Sequence, residues 1–458
     1  MDEEKILALN ELLSAGKFGT LKSELAEMNE VDIAEFFGGL EPKSQLLVFR
    51  ILPKDLSSEV FAYLEPDDQM NIVNSITDRE LSELVDELFL DDTVDFLEEV
   101  PANVVTRVLK NADKETRKLI NRFLQYPENS AGSIMTIEMV QLHDTITVGQ
   151  AIETIRRTGV DKETIYTCYC IDKARHLIGT IDLSELIFND DSVPISDIME
   201  EDESLISVKT LDDQEEVADI VRKYDLLSVP VTDNEGRLVG IITVDDIVDI
   251  IDAENTEDFE KMAKVLHSDE SYLKTSVFKL ARNRIPWLLI LMISATFTGR
   301  IIEGFENMLA AIAGLTAAIP MLMDTGGNAG NQTSTLAIRG LATGDIEPRD
   351  YIRILWKELR IGVICGAILA IANMLRLYLL QFVGWSSGGI HVFLVICSAM
   401  FCAVVLAKVI GCTLPLAAKA IKLDPALMAG PMITTIVDAV TLLIYLGLAR
   451  TFLNGLGV

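Results

Sequence analysis

PALMAGPMITTIVDAVTLLIYLGLA, residues 425–449, decides how the C-terminal part of this chain folds. Between Asp424 and Arg450 it carries one charged residue, Asp438, close to its middle. Twenty-five such residues suffice to cross a bilayer, which takes ~20 in a helix. A carboxylate at the middle of a spanning helix costs ~2.5–3.5 kcal/mol by insertion scales, so it is expected to face a bundle interior or a water path. A protonated Asp satisfied by a neighbouring helix is the plainer alternative. The neighbours favour the path: Thr434, Thr435 and Thr441 lie four and three before and three after Asp438, making one face polar. This segment reads as a pore-lining helix.

Charge divides the chain. The whole carries 39 basic and 70 acidic residues, net −31. From Ile285 onward there are 11 Lys and Arg against 9 Asp and Glu, so residues 1–284 hold a net charge of −33. The first part reads as soluble and helix-rich, the second as membrane. Such acidity disfavours nucleic acid and anionic lipid and attracts cations. The start MDEEKILALNELL lacks a basic-then-apolar pattern, which places the soluble part in the cytosol as an expectation. Cys365, Cys397, Cys402 and Cys412 fall in apolar segments and Cys168 and Cys170 in a strand-like run, with no CxxC, so no disulfide framework or zinc site is indicated.

Residues 1–130 read as short amphipathic helices between acidic or Pro-containing turns, as in ILPKDLSSEVFAYLEPDDQMNIV (51–73) and ITDRELSELVDELFLDDTVDFLEEV (76–100), a pattern predicting a small α-solenoid. A tandem repeat follows. Ile134-Met135 recurs as Ile198-Met199, and HLIGTIDLSELI (176–187) as RLVGIITVDDIV (237–248), with a helix and a strand between the anchors of each copy. This α/β pattern, residues 131–196 and 197–252, resembles a pair of CBS domains, which sense ligands and do not catalyse. Residues 249–284 are charged and helix-like, and 253–284 read as a connecting helix, a lever or a passive linker, that leads into a transmembrane domain at 285–458.

Five spans are placed near 285–303, 308–338, 358–383, 389–418 and 425–449. Arg282, Arg284, Arg339, Arg349, Arg353, Lys357, Arg360, Lys419 and Lys422 cluster on one side, and the loop QFVGWSSGGIH (381–391) has no Lys or Arg. By the positive-inside rule the N-terminus is cytosolic, and an odd span number puts the C-terminus outside. Arg376 and Lys408 are expected to snorkel. Span two contains PMLMDTGGNAGNQTSTLAIRG (320–340), where Asp324, Asn328, Asn331 and Thr335 form a polar stripe at helical spacing. Gly326, Gly327 and Gly330 allow either close helix approach or a local break. Polar glue between packed helices is the alternative to a pore wall.

Taken together, the chain resembles the MgtE family of magnesium channels over its whole length, most specifically in MDTGGNAGNQTSTLAIRG and DPALMAGPMITTIVD. The resemblance implies a homodimer with the pore on its two-fold axis and Asp438 as the central ion ligand. It implies regulatory Mg²⁺ held by acidic side chains, after which the connecting helix closes the pore. The positions carried over are Glu59, Asp91 and Asp95 in the N domain, Asp225, Asp246 and Asp249 in the second CBS domain, Glu257 and Asp258 in the connector, and Asp424 before the last span. Asp92 stands as an alternative to Asp91. Asp91 and Asp95 share a helix face, as do Asp245 and Asp249. The CBS pair also makes ATP a candidate ligand. A hydrated Mg²⁺ usually takes one or two carboxylates and keeps several waters, which suits two Asp438 on an axis. No His or Cys beside Asp438 points to a softer metal. A secondary carrier coupled to Na⁺ or H⁺ is the competing transport reading, and a nucleotide-binding CBS regulator with an inert anchor the competing class. The sequence shows no HExxH, GxSxG or P-loop, and His143, His176, His267 and His391 are scattered, so an enzyme is not expected.

Overall fold

Short helices bounded by explicit stop signals build the first 125 residues of this computed structural model, which describes residues 3–201, 205–266, 272, 275–312, 314–384 and 389–454. They are α1 (Glu3–Ser14), α2 (Phe18–Leu25), α3 (Glu30–Gly38), α4 (Pro42–Ile51), α5 (Lys54–Ala62), α6 (Pro66–Ser75), α7 (Asp78–Glu87), α8 (Leu90–Glu99), α9 (Ala102–Asn111) and α10 (Lys114–Phe123). Pro42 and Pro66 occupy first-turn positions where no amide hydrogen is needed. Thr77 and Glu80 close a capping box on α7, and Asp113 accepts from the first amides of α10. From α3 to α10 each helix packs on the helix two further along. Ile33, Val60, Leu81 and Val94 are fully enclosed in the resulting core.

The repeat forms two small sheets. In the first, β1 (Gln141–His143) runs parallel to β2 (Thr167–Ile171), which pairs antiparallel with β3 (Leu177–Asp182), and that with β4 (Glu200–Glu201). In the second, β5 (Val208–Lys209) is parallel to β6 (Ser228–Thr232), which is antiparallel to β7 (Leu238–Thr243). Helices α11 (Val148–Thr158) and α12 (Leu183–Phe188) belong to the first copy and α13 (Gln214–Tyr224) to the second. The Ile-Met anchors trade places. Thr136 bridges Ile241 in the second sheet, whereas Glu200 and Glu201 extend the first. A Cβ on Gly240 would meet the Thr136 carbonyl at 2.6 Å and the Met135 sulfur at 2.9 Å, and one on Gly179 the Glu200 carbonyl at 2.6 Å. The glycines repeat because the anchors press on them.

Two compact units result, Met1–Asp252 and Ala253–Val458, with α14 (Val244–Ala263) running across the boundary. The expected single connecting helix is not formed. α14 stops at Ala263, Lys264 takes a left-handed φ of 60°, and α15 (Val277–Glu303) starts on a Ser276 cap. Residues 267–271 and 273–274 of the connector, like 385–388 of the uncharged loop, lie outside the described residues.

The second unit continues with α16 (Glu306–Ala311), α17 (Leu315–Ala342), α18 (Tyr351–Phe382), α19 (Ile390–Ala420) and α20 (Pro431–Asn454). Among the described residues four helices, α15, α18, α19 and α20, are long and apolar enough to cross a membrane by length and composition. With its 28 residues α17 has the length, but its polar and glycine-rich middle keeps it out of that set. Two span boundaries need correction. The stretch 308–338 is divided at Gly314, with φ 93°, into α16 and α17. The last helix begins at Pro431 rather than 425, after a 3-10 turn at Pro425–Met428, so Asp438 sits about two turns from the helix start and not at its centre.

Candidate cation pathway

The close pair at the heart of the second unit is α17 on α20, and glycine sets its spacing. α17 is unbroken, so Gly326, Gly327 and Gly330 serve close approach. Cβ atoms there would meet Thr441 Oγ1 at 2.8 Å, Thr434 Cγ2 at 3.0 Å and Ile433 Cγ2 at 2.9 Å. On the other flank Gly411 of α19 abuts the carbonyl of Gly330. All four glycines therefore lie between helices.

The polar stripe of α17 borders that contact and is left largely outside it. Asp324, Asn328 and Thr335 are exposed and Asn331 is half-buried. Exposed polar side chains at membrane depth require water or another protein surface, because lipid satisfies none of them. Asn331 Nδ2 donates to Thr434 Oγ1 at 3.0 Å, tying the stripe to α20. Asp438 is half-buried, and Thr435 spends its hydroxyl on the Pro431 carbonyl at 2.8 Å. Three enclosed oxygens of this region find no hydrogen-bond partner among the described residues: Asn331 Oδ1, Asp438 Oδ1 and Thr441 Oγ1. Buried polar atoms without partners are rare and call for an explanation such as an ion or water. Within one copy, and among the described residues, no three acidic, His or Cys side chains converge tightly enough to hold a metal ion.

Lys408 does not snorkel. It is 6 % exposed, its ammonium donates to Thr333 Oγ1 at 3.2 Å, and Thr333 donates to Glu358 at 3.0 Å, so α19, α17 and α18 share one buried polar bridge. Arg376 keeps solvent contact and donates to Asn373 Oδ1 at 3.0 Å.

A second acidic site lies wholly within the first unit. α8 presents Asp91, Asp92 and Asp95 to Asp245 and Asp246 at the start of α14 and to Glu163 and Glu138 of the first repeat. Asp91 is buried, and loss of water followed by the charge of Asp92 holds its carboxyl well above the usual range. Burial first, and Asp246 second, pushes Asp92 to about 6. Asp95 is exposed on its outer side, and packing of its inner side, followed by the charges of Asp92 and Asp246, raises it to about 7. Burial likewise lifts Glu163 to about 7 and Asp246 to about 6, the latter against a 2.9 Å hydrogen bond from Thr243. Glu163 Oε2 is also enclosed without a partner. Uncompensated carboxylates so arranged are disfavoured when charged and become a strong attraction for cations.

The structure does not bring every expected ligand there. Asp225 is the exposed, left-handed cap of α13, whereas Asp249, exposed one turn along α14, lies at the edge of the cluster and its charge still acts on Asp246. Glu59 is exposed on α5, with Glu30 and Asp55 as its charged neighbours. Glu163 was missed by sequence reasoning. A signal existed, since the sixty-one-residue offset of the repeats places the equivalent of Asp225 next to Glu163. Glu257, Asp258 and Asp424 form a third group inside the second unit, and a lysine occupies it. Lys261 Nζ bridges Glu257 at 2.9 Å and Asp424 at 2.8 Å. Asp258 is raised by burial first and by Asp424 second.

Comparison with known proteins fits this layout. The MgtE profile, described as a divalent cation transporter, matches residues 319–448, the MgtE intracellular N domain matches 28–129, and a CBS domain matches 195–253. A magnesium transporter MgtE of Thermus thermophilus is 35% identical over 99% of this chain and 100% of its own length. The chain belongs to the MgtE family. A Bacillus subtilis magnesium transporter MgtE is 29% identical over 99% of this chain and 98% of its own. Among solved structures, the soluble part of a magnesium transporter matches with TM-score 0.52 and 32% identity, covering 55% of this chain and 98% of that one. The cytosolic domain of the Mg²⁺ channel MgtE in complex with ATP matches with TM-score 0.51 and 34% identity, covering 54% and 99%. This is a multi-pass membrane protein of the MgtE family with an N domain, a CBS pair and a helical membrane part.

Proposed function

We propose that this chain is a Mg²⁺ channel that imports magnesium across the cell membrane and is closed by cytosolic Mg²⁺ bound between its N and CBS domains. The observation that carries the reading is the set of partnerless oxygens of Asn331, Asp438 and Thr441 beside an exposed polar face at membrane depth. One copy offers a single Asp438 there, with Asp324 as its charged neighbour. A two-fold homodimer would supply the second, and two Asp438 match one divalent charge with room for the waters that Mg²⁺ retains. In this reading α17 is the fifth spanning helix, tolerated because its polar face lines water, and the Lys and Arg bias places the N-terminus in the cytoplasm and the C-terminus outside. The packing of each helix on the one two ahead supports a solenoid for residues 1–130. Residues 131–196 and 197–252 are then the two CBS domains, and the MgtE relative solved with ATP supports ATP as a ligand of that pair.

For regulation, Asp91, Asp92, Asp95, Asp246 and Glu163 crowd at energies that bound Mg²⁺ would relieve. Asp249, Asp225 and Glu59 are flanking ligands. Glu257, Asp258 and Asp424 take part where the connector meets the last helix. The test is purified protein alone in liposomes. Mg²⁺ currents should reverse at the Mg²⁺ equilibrium potential and ignore Na⁺ and pH gradients. A reversal potential that follows Na⁺ or H⁺ would replace the channel with a coupled carrier.

A further inference from the structure

We propose that Lys264 is the positioning residue that couples the connector to the pore helix, by fastening the end of α14 to the backbone elbow from which α20 starts. This rests on the reading of the chain as a gated Mg²⁺ channel. The end of α14 is defined by its own hydrogen bonds. Val265 N–H donates to the Glu260 carbonyl at 2.9 Å and Lys264 N–H to that of Lys261 at 3.1 Å, the two bonds of a Schellman ending, here with a lysine rather than glycine in the left-handed position. Lys264 is 4 % exposed. Its ammonium donates to the Leu427 carbonyl and lies 5.0 Å from the centre of the Trp287 ring on α15. One buried charge therefore joins α14, α15 and the turn that precedes α20. A buried ammonium is tolerated only with such partners, so the contact resists exchange for water.

The elbow leads directly to the pore face. Its next carbonyl, Met428, accepts from Ser334 of α17 at 3.1 Å. Gly430, with φ 55°, sits so close to the end of α14 that a Cβ would come within 2.7 Å of the Met262 carbonyl. Thr434 donates both its amide and its hydroxyl to the Gly430 carbonyl, at 3.2 and 3.3 Å, and accepts from Asn331. A shift of the α14 end is thus delivered, through the 427–430 backbone, to Thr434 and the face that bears Asp438.

Lys261 is less suited to this task. Its side chain and that of Asp424 are 31% and 30% exposed, so salt screens the pair and a divalent ion competes for the carboxylate. The neutral Leu427 carbonyl offers mobile ions little, and the Lys264 link persists while ion occupancy changes. Lys264 acts as a pin and the carboxylates around it as the switch.

The experiment reads sensor and pore separately in the full-length protein. Mg²⁺-dependent protease protection of residues 1–252 reports the sensor, and Mg²⁺ flux in liposomes reports the pore. Lys264→Met keeps most of the stem and removes the donor. It should retain wild-type Mg²⁺-dependent protection while flux persists at Mg²⁺ that shuts the wild type, with the closed-to-open ratio lowered about tenfold. Lys264→Arg, which keeps charge and donor, should recover closure. Trp287→Leu leaves the lysine but removes its aromatic cover, and should shift closure in the same direction by less. It decides the matter if Lys264→Met does not assemble. Closure of both Lys264→Met and Trp287→Leu at the wild-type Mg²⁺ concentration overturns the inference, as does joint loss of protection and flux, which would mark a purely structural lysine. A wild type that Mg²⁺ fails to close overturns instead the functional reading beneath it.

Discussion

Asp438 and Lys408 show how differently two intramembrane charges can be handled. Lys408 has a built partner in Thr333, which passes the contact on to Glu358, whereas Asp438 keeps an enclosed oxygen with no donor among the described residues. The first is structural cement, and the second is the place we propose for an ion. Asp438→Asn should abolish Mg²⁺ flux into liposomes while the variant still inserts and assembles, because neutralisation relieves burial and removes only the cation's ligand. Unchanged selective flux would end the assignment. Lys408→Met should act in the opposite sense, lowering thermal stability of the detergent-solubilised protein by about 1–3 kcal/mol, since Thr333 loses a buried donor and the carboxylate of Glu358 loses the cation one hydroxyl away. Adding Glu358→Gln should restore part of that loss, a non-additivity that marks coupling through Thr333. Lys408 was read from sequence as snorkelling because its distance from a span end was visible and the hydroxyl waiting on α17 was not.

Elements were legible in proportion to how much of their meaning is local. The tandem repeat could be read because its glycines, anchors and alternating apolar runs recur. The trade of Ile-Met anchors between copies could not, since that pairing is decided by distant carbonyls at Gly179 and Gly240. The polar stripe of α17 was readable from spacing, and the structure resolves its glycines as contact points rather than a break. The end of α14 escaped detection because a lysine, not a glycine, takes the left-handed turn at 264. Packing through glycine makes a direct prediction for α17 and α19. Gly411→Ala would drive a methyl into the Gly330 backbone, which cannot yield as a side chain tip would. The expected result is a loss of about 1–3 kcal/mol in thermal stability with weakened transport, typical of overpacking. A variant as stable and active as wild type would show that the two helices have slack there.

At the scale of the whole molecule, the −33 charge of residues 1–284 and the inward-facing carboxylates of α8 and α14 make assembly of the first unit sensitive to protons as well as cations. The sign follows from the directions of the shifts. Apart, these Asp and Glu side chains titrate near their ordinary ~4. Packed together, Asp92 and Asp246 rise to about 6 and Asp95 and Glu163 to about 7, in each case through burial first. The packed arrangement therefore binds more protons than the separated one, and its stability falls as pH rises from ~4 through about 7, the window between the two sets of values. Without Mg²⁺, full-length protein at pH 5.5 should resist protease between the N domain and the CBS pair better than at pH 8. Saturating Mg²⁺ should flatten that dependence, because a bound dication neutralises the same carboxylates without protons. Asp92→Asn with Asp95→Asn and Asp246→Asn should be protected at both pH values and indifferent to Mg²⁺, with flux that cytosolic Mg²⁺ no longer controls. Protection that rises with pH in metal-free wild type, or a triple variant still gated by Mg²⁺, would show that the sensing carboxylates lie elsewhere.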